Sequence, residues 1–86
     1  MDKKILISGG SRGIGAAAVR YFSERGDRVA FIYRNADENA RKLAEDTNAF
    51  TVKADVSDAQ SAISAFREAT ELLGCVEWLL NDEKAG

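Results

Sequence analysis

Neither proline nor histidine occurs among the 86 residues, and cysteine, methionine and tryptophan occur once each. A single cysteine, Cys75, excludes an internal disulfide and a cysteine zinc cluster; with no histidine either, no metal site is expected. Cys75 is expected to be a buried structural thiol. Without proline, repeats or low-complexity stretches, no internal linker is visible. Long hydrophobic runs are also missing. Met1-Asp2-Lys3-Lys4 leads into only Ile5-Leu6-Ile7, too short for a signal-peptide core or a membrane span. The expected location is therefore the cytoplasm, with no membrane partner. Nor is there a surplus of positive charge: 12 Lys and Arg stand against 14 Asp and Glu, a formal net charge of −2. The basic residues are scattered, so nothing calls for a nucleic-acid partner.

What is present is ordinary globular composition, 45% hydrophobic and 30% charged, which argues against disorder. A chain of 86 residues makes one domain at most, near the small end for a self-sufficient core. Its organising stretch is Ser8-Gly9-Gly10-Ser11-Arg12-Gly13-Ile14-Gly15. The apolar run Ile5-Leu6-Ile7 enters it and a helical pattern, Ala16-Ala17-Ala18-Val19, leaves it. Strand, glycine-rich turn and helix start together present unpaired backbone N–H groups and a positive helix end to an anion. Gly9 allows the sharp turn off the strand, Gly13 close backbone approach to a pyrophosphate, and Gly15 close helix packing on the sheet. The spacing, G-x-x-x-G-x-G, departs from the commoner G-x-G-x-x-G.

Along the chain, a first strand is expected over Lys3–Ser8. A first helix follows over Gly13–Arg25, with Ile14, Ala18, Tyr21 and Phe22 inward and Gly26 as a left-handed cap. The continuous apolar run Val29-Ala30-Phe31-Ile32 predicts a strand over Arg28–Tyr33 that is covered on both faces. Asn35 and Glu38 have capping-box spacing for a second helix through Asp46, with Ala40, Leu43 and Ala44 inward. Ala49–Ala54 reads as a third, weaker strand. Ser57-Asp58-Ala59-Gln60 reads as another capping box. It opens a helix with Ala59, Ala62, Ile63, Phe66, Ala69, Thr70 and Leu73 on one stripe, ended by Gly74. Val76–Leu80 is the fourth strand. Helices between all the strands predict a parallel sheet with right-handed crossovers, an α/β three-layer fold. Periodicity alone fits strand order 3-2-1-4 and a flavodoxin-like 2-1-3-4 equally.

The glycine loop resembles the T-G-x-x-x-G-I-G cofactor loop of short-chain dehydrogenases/reductases, with Ser8 in the threonine's place. The closest likeness is to bacterial 3-oxoacyl-acyl-carrier-protein reductases, in which a Ser-Arg-Gly-Ile-Gly stretch is common. The likeness runs through nearly all of this chain but covers only about the first third of such a protein. It implies a half-Rossmann unit over residues 1–86, with order 3-2-1-4, cut short of the catalytic half. The cofactor-binding residues would be Gly9, Ser11, Arg12, Gly13, Ile14, Gly15, Arg34, Asn35, Asp55, Val56 and Asn81.

At the end of the second strand, where a carboxylate would accept from the ribose hydroxyls of NAD, the chain has Tyr33-Arg34-Asn35. Arg34 would offer a planar fork to a 2′-phosphate and Arg12 would reach the same group from the loop, which by the resemblance implies NADP; the alternative is a solvated strand-end residue and a solvated loop residue. Asp55 either accepts from the adenine amino group, with Val56 packed on the ring, or helps to cap the next helix. Ser11 either donates to the adenosine-side phosphate or simply forms the turn. Trp78-Leu79-Leu80-Asn81 fits the lead-in to the family's Asn-Asn-Ala-Gly, but Asp82-Glu83-Lys84 intervenes before Ala85-Gly86.

The family's chemistry uses a Tyr-x-x-x-Lys pair, the tyrosine acting as general acid/base beside the lysine. Here Tyr21 is followed four residues later by Arg25 and Tyr33 by Asp37, so no catalytic residue is assigned. The expectation is an NADP(H)-binding portion of a ketone or 3-oxoacyl reductase, inactive by itself. A non-catalytic nucleotide-binding or self-associating module is the alternative, and a folding or design fragment without ligand is another. With nothing beyond it, the fourth strand is expected at a bare sheet edge. Trp78 or its neighbours would then be exposed, inviting a homodimer.

Overall fold

The computed structural model describes residues 2–9, 13–35 and 37–81, with Asn81 as backbone only. The elements alternate strictly. They are β1 (Lys4–Ser8), α1 (Gly13–Glu24), β2 (Arg28–Tyr33), α2 (Asp37–Thr47), β3 (Phe50–Lys53), α3 (Ala59–Leu73) and β4 (Trp78–Asn81). The strands are all parallel in the order β3-β2-β1-β4, which decides between the two topologies that periodicity left open.

Two apolar layers follow from the pleat. Ile5, Ile7, Val29 and Phe31 face α1 and α2, where they meet Val19, Ala40 and Leu43. Leu6, Ala30, Ile32 and Val52 face the other way, onto Ala65, Ala69 and Leu73 of α3. Because both faces are covered, the middles of β1 and β2, Ile5–Ile7 and Val29–Ile32, are apolar at consecutive rather than alternate positions. Each large side chain so buried contributes about 1.5–3 kcal/mol.

The helices seat differently from the expected stripes. On α1 the buried positions are Gly15 and Val19, flanked by half-buried Ala16, Ala18 and Phe22. Ile14 is 75% exposed and Tyr21 57%, so neither is core. The Tyr21 ring instead packs edge-on to Phe22 and under the Arg25 guanidinium. On α3, Ala65, Ala69 and Leu73 are buried, while Ile63 is 58% exposed and Ala59 and Thr70 face solvent. One cause serves both helices. Small residues, Gly15 on α1 and Ala65 and Ala69 on α3, let each helix come close to the sheet. Val19 and Leu73 fill the space beside them, and Ile14, Tyr21 and Ile63 lie off that contact line. On α2 the inward set is Ala40, Leu43 and Ala44, as its pattern predicts.

The helix ends are built locally. Gly26 has φ +88°; its N–H donates to the Ser23 carbonyl (3.0 Å), and the Asp27 N–H donates to Phe22 (3.1 Å). That paired arrangement closes α1 with a left-handed glycine. Asp27 next to it is buried, and its carboxylate accepts from the Lys3 N–H at 3.1 Å. Burial opposes its charge, yet that hydrogen bond and nearby positive groups, Arg25 among them, hold its pKa below the usual value.

Helix α2 is described from Asp37, with Asp37 and Glu38 in the first turn where the dipole favours them; residue 36, between it and Asn35, lies outside the described residues. The expected Ser57 cap on α3 is corrected: Asp58 caps, its carboxylate accepting from the Ser61 N–H and hydroxyl at 3.0 and 2.7 Å. A carboxylate is the stronger acceptor for a helix N-terminus, and Asp58-x-x-Ser61 has the required spacing. Cys75 is exposed, not buried, because it lies in the surface turn between α3 and β4.

β4 lies at a sheet edge, as expected. By register with Ile5 and Ile7, Trp78 and Leu80 share the α1 face, while Leu79 shares the α3 face. Trp78 touches Phe22 edge-on at 6.2 Å yet stays 49% exposed, and Leu79 is 58% exposed. Among the described residues this edge is apolar and has no further strand beside it.

Candidate cofactor site

In a parallel sheet all strands end on one side, and a ligand crevice opens where the chain reverses its direction of travel across the sheet. Here that point lies between β1 and β4. The chain leaves β1 through α1 on one face and enters β4 from α3 on the other. The glycine turn sits at this opening. Gly9 leaves β1 with φ +85°, and its N–H donates to the Ile32 carbonyl at 2.7 Å, tying the turn to the neighbouring strand. Gly13 opens α1 with φ +65°. Both values lie in the left-handed region that side chains other than glycine rarely adopt. Gly15 is buried where α1 meets the sheet, whereas Ile14 stands out to solvent. Ser11 and Arg12 lie outside the described residues.

The ends of β2 and β3 come together beside the turn. Arg34 Nη1 is 3.8 Å from Asp55 Oδ1, with both side chains about half exposed. Asn35 next to Arg34 is exposed. Asp55 also accepts from Ser57, from its N–H at 3.0 Å and its hydroxyl at 2.6 Å. These two Ser57 bonds, with a smaller contribution from Arg34 and against some desolvation, hold the Asp55 pKa below its ordinary value. Capping of α3 falls to Asp58, so Asp55 is not needed for it. Val56 is half-buried against the α3-side core. Asn81 pairs in register with Ser8 at the end of β4, alongside the strand that carries the glycine turn.

Sequence reasoning missed Ser57 as part of this cluster. The signal was Asp55-x-Ser57, the spacing at which an aspartate carboxylate accepts from the backbone two residues on. It was hidden under the overlapping cap pattern.

The described residues suit a dinucleotide. Two positive-φ glycines flank a helix N-terminus, and the end of β2 carries a cation, Arg34, where a ribose-binding carboxylate would otherwise stand.

The sequence profile of the short chain dehydrogenase family matches residues 3–83. The chain belongs to this family. A 3-oxoacyl-[acyl-carrier-protein] reductase of Bos taurus is 39% identical, over 94% of this chain and 35% of that protein. Among solved structures, a short-chain dehydrogenase/reductase of Serratia marcescens superposes with a TM-score of 0.89 at 34% identity. That match covers 93% of this chain and 35% of the other. The protein BdcA of E. coli, solved in complex with NADPH, superposes with a TM-score of 0.82 at 39% identity, covering 92% of this chain and 31% of its own. This short-chain dehydrogenase chain thus spans about a third of the length of the curated relatives it matches. Its order β3-β2-β1-β4 is the Rossmann-like arrangement these structures share.

Proposed function

We propose that residues 1–86 form the NADP(H)-binding portion of a cytoplasmic ketone or 3-oxoacyl reductase, and do not turn over substrate unaided. The observation that carries this reading is the exposed Arg34 guanidinium at the end of β2, beside a positive-φ glycine turn. The N–H groups after Gly9, in the turn and in the first turn of α1, would hold the pyrophosphate, with Gly9 itself anchored to Ile32 and Ser11 on the adenosine side. Arg34, next to Asn35, and Arg12 would grip the 2′-phosphate. Asp55 and Val56 would take the adenine, and Asn81 would steady the loop from β4. The bound nicotinamide supplies or accepts a hydride. This chain's share is to bind and orient, since it contains no Tyr-x-x-x-Lys pair. NADPH-bound BdcA supports the choice of cofactor. The test is a titration with 2′,5′-ADP together with an NADPH oxidation assay on carbonyl substrates. Weak saturable binding without turnover is expected; turnover by homogeneous protein, or no binding at millimolar ligand, contradicts the reading.

The open β4 edge favours a second property, self-association. Unpaired strand groups flanked by exposed Trp78, Leu79 and Leu80 are a template for a second copy. Two β4 strands would lie side by side about a two-fold axis, or segments would be exchanged. Sedimentation is expected to give a dimer at micromolar concentration. Leu79→Lys is expected to shift it toward monomer, because the ammonium would have to be buried in the joint. A wild-type monomer at high concentration, or an unchanged dimer in the variant, contradicts this.

A further inference from the structure

We propose that Ser57 is a positioning residue for purine recognition, fixing Asp55 so that one carboxylate oxygen is held internally and the other faces the base. The inference rests on the nucleotide-binding reading above and deepens it. Its basis is an asymmetry. All three contacts of the Asp55 carboxylate fall on Oδ1: the Ser57 N–H at 3.0 Å, the Ser57 hydroxyl at 2.6 Å and Arg34 Nη1 at 3.8 Å. None of them falls on Oδ2.

Two donors from one residue converge on one oxygen, which removes the rotation that an exposed carboxylate otherwise keeps. The hydroxyl bond lies at the short end of the range for a charged acceptor. The turn is closed by its backbone as well, the Asp58 N–H donating to the Asp55 carbonyl at 3.1 Å. Nor is the Ser57 hydroxyl drawn into the cap of α3, because Asp58 and Ser61 complete it between themselves. It donates to Asp55.

The chemistry that follows is specific. An ionised carboxylate only accepts, so a fixed Oδ2 suits a purine whose 6-position donates and penalises one whose 6-position accepts. Adenine carries an amino group there, and hypoxanthine a carbonyl. A rigid acceptor tells them apart better than one free to swing away, since the wrong base leaves a polar group unpaired. Through Oδ1 the same carboxylate also touches Arg34, which links base recognition to the cation expected to meet the 2′-phosphate.

The test is NMR titration of the 86-residue protein with 5′-AMP and with 5′-IMP, each measured to its dissociation constant. The amide spectrum of α3 reports in the same experiment that the variants stay folded. Wild type is expected to prefer 5′-AMP. Ser57→Ala is expected to lower that preference about fivefold, the equivalent of one net hydrogen bond. Ser57→Thr keeps the hydroxyl and is expected to retain the preference. A Ser57→Ala variant that weakens both nucleotides equally, or changes neither, overturns the proposal. So does equal wild-type affinity for the two, which leaves the nucleotide-binding reading standing. Absence of binding by wild type to 5′-AMP and to 2′,5′-ADP overturns both.

Discussion

Gly13→Val is expected to take 2′,5′-ADP binding beyond detection while leaving the sheet folded. The backbone at position 13 has φ +65°, where an L side chain costs about 1–2 kcal/mol and a β-branched one more. If strain were the whole effect, any valine at a positive-φ glycine would do the same harm. Gly74 supplies the control. It has φ +92° at the end of α3, and a β-carbon added there meets nothing within 4 Å. Gly74→Val therefore carries at least comparable backbone strain, since φ +92° with ψ −38° lies outside the left-handed helical region, but it stands at the far end of α3, away from the proposed phosphate site. Gly13→Val adds a side chain where the proposal brings phosphate against backbone. Hydrogen bonds to a charged group contribute about 1.5–3 kcal/mol each, so losing even one lowers affinity tenfold or more. Circular dichroism is expected to show both variants folded, and calorimetry to show binding by Gly74→Val alone. Equal binding by the two contradicts the assignment of the loop.

Arg34→Asp is expected to invert selectivity rather than abolish binding. Wild type should favour 2′,5′-ADP over 5′-ADP, since only the first carries the phosphate that Arg34 would meet. The reversal removes a charge-assisted pair and sets a carboxylate near Asp55, 3.8 Å from the guanidinium it replaces. Arg34 is more than half exposed, so water screens part of the effect. A fall of about tenfold in the 2′,5′-ADP to 5′-ADP ratio is a reasonable scale for losing one such contact. Any damage to the Asp55 side of the site affects both ligands and cancels in the ratio. Equal losses for both nucleotides would remove Arg34 from the 2′-phosphate site.

The elements of this fold are legible from simple patterns, because β1 and β2 are continuous apolar runs between glycine turns. Even the exit of α1 is plain, since Gly26 followed by Asp27 marks the left-handed cap. Strand order is different. Helix-strand alternation is compatible with 3-2-1-4 and with 2-1-3-4, and only the glycine turn favours the first, through resemblance rather than packing. The helix faces were harder still. Periodicity gives weight to large residues such as Ile14, Tyr21 and Ile63, whereas the sheet selects small ones, Gly15, Ala65 and Ala69. At the site, Gly9, Gly13, Arg34 and Asp55 stand out by residue type and position. The role of Ser57 needs three dimensions. Two turn patterns overlap at residues 55–61, and geometry shows Asp58 taking the cap and Asp55 taking Ser57.

The central claim is that the glycine turn and the end of β2 together bind the adenosine half of NADP. It is tested most directly by mapping backbone amide shifts while 2′,5′-ADP is titrated into the wild-type chain. The account predicts saturable shifts at Gly9, Gly13, Arg34 and Asp55, weak in affinity for a chain that spans about a third of the length of its relatives. Shifts confined to the outer face of α2, or none at millimolar ligand, would contradict it.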